Sequence, residues 1–249
     1  MAAPAFSALI VGGTGAVGRQ VLKELLANPQ ILRVSEYGRR VTSSVDLPST
    51  INPPGKLTQR VVNFDKIQEE GLRDGKFDLV VITLGTTRGN AGSWDNFVKI
   101  DREYVLATAA AARVPGLKQK IIYCSSFGAG SDKLLPYAKS KGLTEEGIAK
   151  VGYDDTIIFR PGFLTERGGN ESRILEGIFR FFTGILSHFS PHVEIKTSEV
   201  AKGMIQAALK GSSGLPPEAE VFTAGGKGDV PLYHVVGNKG NIAIAKEQS

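Results

Sequence analysis

Two side chains four residues apart, Tyr137 and Lys141, carry the most specific chemistry in this 249-residue sequence. Pro136 just before them suits the first turn of a helix, where its fixed φ is an advantage. On a helix, positions i and i+4 share a face, so the phenol and the ammonium look into the same space. The ammonium favours the phenolate and is expected to lower the tyrosine pKa. Such a tyrosine gives a proton to a carbonyl oxygen, or takes one from an alcohol, near neutral pH. Eleven residues upstream stands Ser126, preceded by Ser125, at the end of the apolar run Ile121-Ile122-Tyr123-Cys124. A serine hydroxyl there can hydrogen-bond the same oxygen.

The elements that must position these residues begin at the N-terminus. Ala8-Leu9-Ile10-Val11 is a short apolar run, as a fully buried parallel strand would be. Gly12, Gly15 and Gly18 follow at a spacing of three, and then Val17, Val21, Leu22, Leu25 and Leu26 repeat with helical period. Strand, glycine turn and helix form the context in which such a triplet binds a dinucleotide. Gly12 permits the tight turn, Gly15 the approach of a pyrophosphate, and Gly18 close packing of helix on strand. The helix N-terminus offers unpaired N–H groups and partial positive charge to the phosphates.

Further strands are expected over residues 33–38, 59–64, 77–84, 120–125 and 156–160, with a Ser/Thr/Pro/Gly-rich loop at 42–57 and a helix over 94–112. Alternation of strands and helices predicts an α/β fold, a Rossmann-type doubly wound parallel sheet. Residues 1–160 form its nucleotide-binding core. Residues 161–249 read as a small substrate-side extension and tail of the same single domain, with an aromatic-rich helix near 173–187, a capped helix near 199–210, and a Gly/Pro-rich end.

The end of the second strand decides which nucleotide is expected. NAD-binding domains usually carry an Asp or Glu there for the ribose 2′-OH. This chain has Gly38 and then Arg39-Arg40. Guanidinium groups pair bidentately with phosphate and stack on adenine, so NADP(H) is favoured. Glu36 is acidic but sits two residues inside the strand and would point into the domain. Asp65, after the third strand, is a candidate partner for the adenine amino group, or equally a loop-capping residue.

These pieces together resemble the short-chain dehydrogenase/reductase superfamily of the extended or atypical type. The carriers are Gly12-x-x-Gly15-x-x-Gly18, Ser125-Ser126, Tyr137-x-x-x-Lys141 and Arg160-Pro161-Gly162. More narrowly, the chain resembles the Tat-interacting-protein oxidoreductases and their fungal mitochondrial relatives. The matching pieces are Gly38-Arg39-Arg40, Leu84-Gly85-Thr86-Thr87-Arg88, Lys99-Ile100-Asp101, Phe159 to Gly162 and Glu171-Ser172-Arg173. The resemblance implies Ser126 as the catalytic serine, Tyr137 as acid/base and Lys141 as the activating lysine. With the residues read above, the candidate cofactor-binding set is Gly12, Thr14, Gly15, Ala16, Val17, Gly18, Arg39, Arg40, Asp65, Leu84, Gly85, Thr86, Tyr137, Lys141, Pro161 and Gly162. Pro161-Gly162 matches the backbone turn beside the nicotinamide. Where many superfamily members carry an Asn for a proton-relay water, the nearest match here is Asp101.

The implied activity is NADPH-dependent reduction of a small or lipid-like carbonyl. A non-catalytic NADPH-binding sensor that presents a surface to a protein partner is the alternative. The resemblance also implies peripheral association of the fungal members with mitochondria.

Composition narrows the rest. Hydrophobic content of 41% and charged content of 22% suit a soluble globular protein. With Cys124 alone, no internal disulfide exists, and His188, His192 and His234 show no ligand spacing; a reducing compartment and no metal are expected. The net charge of +5 comes from pairs and scattered singles, without a run that would read as a nucleic-acid patch. No apolar run reaches the roughly 18–20 residues that span a bilayer. The first strand starts near residue 7, leaving no room for a cleavable presequence, and the sequon pattern Asn170-Glu171-Ser172 has no meaning inside a cell. The expected location is intracellular, cytoplasmic or peripheral on the mitochondrial outer membrane. In residues 173–189, Ile174, Ile178, Phe181, Phe182, Ile185 and Phe189 share one helical face. That face either packs on the substrate side of the domain or docks on a membrane surface or a second subunit of a homodimer.

Overall fold

The computed structural model describes residues 5–165 and 194–247. The aromatic stretch at 173–189, the Glu171-Ser172-Arg173 motif, the sequon, His188 and His192 lie outside the described residues. Strand β1 (Phe6–Val11) is followed by helix α1 (Ala16–Ala27), β2 (Ile31–Gly38), β3 (Leu57–Val61) and β4 (Leu79–Ile82). After a one-turn helix α2 (Arg88–Ala91), α3 (Trp94–Val98) runs through a π-helical turn (Lys99–Glu103) into α4 (Tyr104–Ala112). Then come β5 (Lys120–Cys124), α5 (Pro136–Lys150), β6 (Asp155–Arg160), β7 (Phe163–Thr165), β8 (Glu194–Lys196), α6 (Thr197–Lys210), β9 (Phe222–Ala224), β10 (Tyr233–Gly237) and α7 (Asn238–Lys246).

Eight strands form one sheet in the order β3-β2-β1-β4-β5-β6-β10-β9, parallel except for β9, which runs antiparallel to β10. The first six follow the doubly wound order, with the reversal of direction between β1 and β4. Each central strand is apolar on both sides because both sides are covered. Ala8, Ile10, Leu79 and Val81 join the layer that contains α1, α6 and Ile244 of α7. Leu9, Val11, Val80 and Ile82 join the layer that contains α4 and α5. Side chains such as Val21 and Leu25, fully buried, contribute about 1.5–3 kcal/mol each to holding α1 on the sheet.

The central sheet takes in more of the C-terminal part than the patterning of the sequence predicts. β10 pairs with β6 in register His234↔Ile157 through Gly237↔Arg160, and α6 and α7 cover the face shared with α1. β10 is five residues long and set among Gly and Pro, too short to register as a periodic segment. Lys56, inside the segment read as a loop, is buried. Its ammonium donates to Leu26 O at 2.8 Å and Asn28 O at 2.7 Å, capping the C-terminus of α1. Among the described residues no helix is long and apolar enough to cross a membrane.

Candidate active site

The loops at the carboxyl ends of β1, β2, β4, β5 and β6, together with helices α1 and α5, carry every candidate catalytic or cofactor-binding residue read from the sequence except Asp65, as an open α/β sheet requires of a ligand crevice. Gly12 has φ +98°, a region L side chains avoid, and a Cβ there would sit 2.7 Å from Leu84 N. A Cβ at Gly18 would stand 2.0 Å from Gly12 O, so α1 can lie on β1 only through a glycine. Gly15 is exposed, and a Cβ there would meet only Gly12 O at 3.4 Å. It is also the N-cap of α1, whose first turn has neither a side-chain cap nor an acidic residue. Thr14, Ala16 and Val17 complete this turn. Thr83 Oγ1 donates to Gly12 O at 3.1 Å and fastens the end of β4 to it.

Arg39 and Arg40 are exposed at the end of β2, and Arg40 Nε lies 3.5 Å from Thr14 Oγ1 above the glycine turn. Glu36 points into the domain as expected and is fully buried. Asp65 is turned to the α3–α4 side. It pairs with Lys99 at 2.7 Å and accepts from the Tyr104 hydroxyl at 2.8 Å. Those two bonds hold its carboxyl below the usual range. No contact joins it to the glycine turn among the described residues.

Lys141 is buried on the inner face of α5. Its ammonium donates to Asp101 Oδ1 at 2.9 Å and to the Tyr123 hydroxyl at 3.1 Å. Asp101, wholly buried, comes from the π-helical turn, a local widening of a helix that recurs at functional sites. The same Oδ1 accepts from Thr86 N at 3.1 Å, and a Cβ on Gly85 would lie 3.1 Å from it and 3.6 Å from Lys141 Nζ. Leu84, Gly85 and Thr86 are therefore laid against the ion pair. Asp101 Oδ2 is buried and has no hydrogen-bond partner among the described residues. Burial opposes the Lys141 charge, yet Asp101, Tyr123 and Tyr137 together hold its pKa well above the ordinary lysine value.

Tyr137 stacks at a tilt on Phe97, ring centroids 5.6 Å apart. The expectation that Lys141 lowers its pKa holds for that one influence only. Burial raises the Tyr137 pKa, Lys141 and the neighbouring Ser126 hydroxyl lower it, and Asp101 and Cys124 raise it; the balance is upward. The phenol therefore holds its proton at neutral pH. Ser126 Oγ is shielded from solvent and has no hydrogen bond of full geometry among the described residues.

The two serines have separate surroundings. Ser125 Oγ donates to Glu145 Oε1 at 2.5 Å, and Glu145 is held by Arg160 through Nε at 3.1 Å and an Nη at 2.5 Å. Phe127 N donates to Pro161 O at 2.9 Å, and Gly162 N to Asn238 Oδ1 at 2.9 Å. The Ser125–Glu145–Arg160 network thus sets the strand ends that carry Ser126 and Pro161-Gly162. Sequence reading missed Glu145, although Tyr137, Lys141 and Glu145 recur every four residues on one helix face. It also missed Tyr123 and Gly13, and for the Asp101–Lys141 pair no local signal exists across 40 residues.

The fold and this crevice define the class. A short-chain type dehydrogenase/reductase from Mycobacterium ulcerans superposes with TM-score 0.60 at 14% identity, covering 87% of this chain and 87% of that one. The Bordetella bronchiseptica enzyme WbmF in complex with NAD+ superposes with TM-score 0.57 at 18% identity, covering 85% and 72%. The architecture is thus the Rossmann fold seen in short-chain dehydrogenases and reductases. No protein-family model matches the chain. Among curated proteins, it is 33% identical over 217 residues to "Protein fmp52, mitochondrial" of Emericella nidulans, covering 84% of this chain and 89% of that protein. It is 32% identical over 211 residues to "Protein HTATIP2" of Rattus norvegicus, covering 84% and 83%. The chain belongs to the fmp52/HTATIP2 family.

Proposed function

We propose that the protein is an NADPH-dependent oxidoreductase of short-chain dehydrogenase type that reduces a small or lipid-like carbonyl compound. The observation that carries the reading is the convergence of a protonated Tyr137, the neighbouring shielded Ser126 hydroxyl and a charged Lys141 beside the glycine turn.

The residues fit the cofactor. The uncapped N-terminus of α1 and the open Gly15 suit a pyrophosphate. Gly12, Thr14, Ala16, Val17 and Gly18 shape that turn, and Leu84, Gly85 and Thr86 flank it. Arg39 and Arg40 would read the 2′-phosphate, and Pro161 and Gly162 would back the nicotinamide end. The one acidic side chain near the end of β2, Glu36, has both oxygens engaged, which supports NADP(H) over NAD(H). Asp65, held by Lys99 and Tyr104, would have to meet the adenine with its remaining acceptor capacity. When bound, NADPH supplies the hydride that the protein itself lacks.

Tyr137 would give its phenolic proton to the carbonyl oxygen as that oxygen gains charge. Ser126 Oγ would donate a hydrogen bond to the same oxygen and fix its direction. Lys141 would hold the cofactor ribose with the donor capacity that Asp101 and Tyr123 leave it. A panel of aldehydes, ketones and quinones, followed by NADPH consumption, tests the reading. Turnover abolished by Tyr137→Phe with NADPH binding intact is the expected result. Tight NADPH binding without turnover on any class would establish the alternative, a nucleotide-sensing interaction protein. The proposed location is intracellular, cytoplasmic or peripheral on the mitochondrial outer membrane; the fungal relatives are named mitochondrial proteins. Fractionation with carbonate extraction tests it.

A further inference from the structure

Glu36 is a buried carboxylate in the middle of the site's scaffold, and the proposed chemistry makes no use of it. It lies on β2 with no exposed surface, and among the described residues no cation pairs with it. Its charge is met by neutral donors instead. Oε1 accepts from Thr42 N at 3.0 Å and from Thr42 Oγ1 at 2.6 Å. Oε2 accepts from Thr42 N at 3.1 Å and from Gln59 Nε2 at 2.7 Å. Gln59 Nε2 also donates to Thr42 O at 2.8 Å. Thr42 is thus held at its amide, its hydroxyl and its carbonyl.

Between Glu36 and Thr42 the chain leaves the strand and makes the Gly38-Arg39-Arg40 turn. A Cβ on Gly38 would stand 2.7 Å from Arg40 O, so the turn is tight at its start. Glu36 grips its far end. The same carboxylate supports the glycine turn from beneath: a Cβ on Gly13 would lie 2.4 Å from Glu36 Oε1. Arg40 Nε, 3.5 Å from Thr14 Oγ1, stands where these two turns meet. A short turn pinned at both ends has little conformational freedom left to lose when an anion binds, which favours affinity.

We infer that Glu36 is a positioning residue for cofactor selection: it sets the Arg39-Arg40 turn against the glycine turn so that a guanidinium meets a 2′-phosphate. Its own carboxylate, engaged by Thr42 and Gln59, is at the same time withheld from a ribose 2′-hydroxyl. This rests on the NADP(H) reading given above.

The test is equilibrium titration of NADPH and NADH, at one fixed ionic strength, into wild type, Glu36→Gln and Thr42→Val. In Glu36→Gln one carboxylate oxygen becomes a donor, so either Thr42 or Gln59 loses its acceptor. The sign of the change is diagnostic. Removing a negative charge beneath a phosphate site would, by charge alone, tighten NADPH binding. Loss of position weakens it, by about tenfold or more if one charge-assisted phosphate contact is lost. The expected result is that loss for NADPH with a clearly smaller one for NADH, which shares the glycine turn but has no 2′-phosphate, and a smaller change in the same direction for Thr42→Val. Equal losses for both cofactors, or an unchanged ratio, would overturn the inference. If Glu36→Gln does not fold, Thr42→Val decides by the same criteria. Equal affinities of wild type for the two cofactors would instead overturn the NADP(H) reading, a result distinct from any given by the variants.

Discussion

The phenol of Tyr137 and the carboxylate of Asp101 pull against each other through Lys141. Burial keeps the Tyr137 proton on, and Asp101 opposes the pull that the Lys141 ammonium exerts on it. A protonated phenol is the form that donates, so carbonyl reduction should be flat from neutral pH upward and fall only above about 10, the ordinary tyrosine value. Alcohol oxidation needs the phenolate and should climb about tenfold per pH unit through the neutral range, since the ionised fraction does so. Initial rates in both directions across pH 6–10 check the sign. The buried pair also bears on stability. Lys141→Met leaves Asp101 charged, buried and unpaired, and should cost about 3–5 kcal/mol. The double variant with Asp101→Asn should be more stable than Lys141→Met alone, because no bare charge remains. Urea unfolding of wild type, Lys141→Met, Asp101→Asn and the double variant measures this, and additive losses would mean that the two groups are not coupled.

The strand–turn–helix unit separates a packing glycine from one proposed to bind the cofactor. A Cβ on Gly18 meets the Gly12 carbonyl oxygen at 2.0 Å, a backbone atom that cannot swing aside, and Thr83 Oγ1 at 2.8 Å. Gly18→Ala should therefore lift α1 from β1 and destabilise the protein by about 1–3 kcal/mol or more, the range for overpacking. A Cβ on Gly15 has room in the protein, at 3.4 Å from its nearest neighbour. Gly15→Ala should keep the melting temperature within a degree or two of wild type, since a ΔΔG of 1 kcal/mol would move it by about 2–4 °C, and still weaken NADPH binding. Calorimetry and cofactor titration on the two variants distinguish the roles. α5 shows a second division of labour: Tyr137 and Lys141 are the proposed site residues, while Glu145, one turn on, ties the helix to Ser125 and Arg160.

For the molecule as a whole, cofactor and surface set the expectations. NADPH at a hundredfold excess over its Kd should add about 2.7 kcal/mol to the unfolding free energy, and NADH at the same concentration less. The aromatic face of residues 173–189, defined by sequence alone, has two outcomes. A basic protein carrying it on the surface would float with cardiolipin-containing liposomes, and Phe181→Ser/Phe182→Ser would abolish flotation while circular dichroism stays native. Wild type left at the bottom of the gradient excludes the lipid surface, and a variant that fails to fold assigns the face to the core.

The sequence by itself determined the first six strands of the sheet and the location of its crevice. Unbroken apolar runs in β1 and β4 can be satisfied only by cover on both faces, and the glycine triplet admits only one close approach of α1 to β1. These constraints are local, confined to about a dozen residues each, so they survive without knowledge of the rest of the chain. The same holds for Tyr137 and Lys141, which a single helix turn brings together. The tertiary structure decided everything that depends on residues far apart in the chain. Burial turns an expected fall in the Tyr137 pKa into a rise, and Asp101, which reaches Lys141 across 40 residues, adds to it. Gln59 closes the Glu36–Thr42 network from the neighbouring strand, and Lys56 caps a helix that ended 29 positions earlier. Buried polar groups have no periodicity of their own. Their partners are chosen by which strand ends and helix faces the sheet order brings within 3 Å, and that order exists only once the chain has folded.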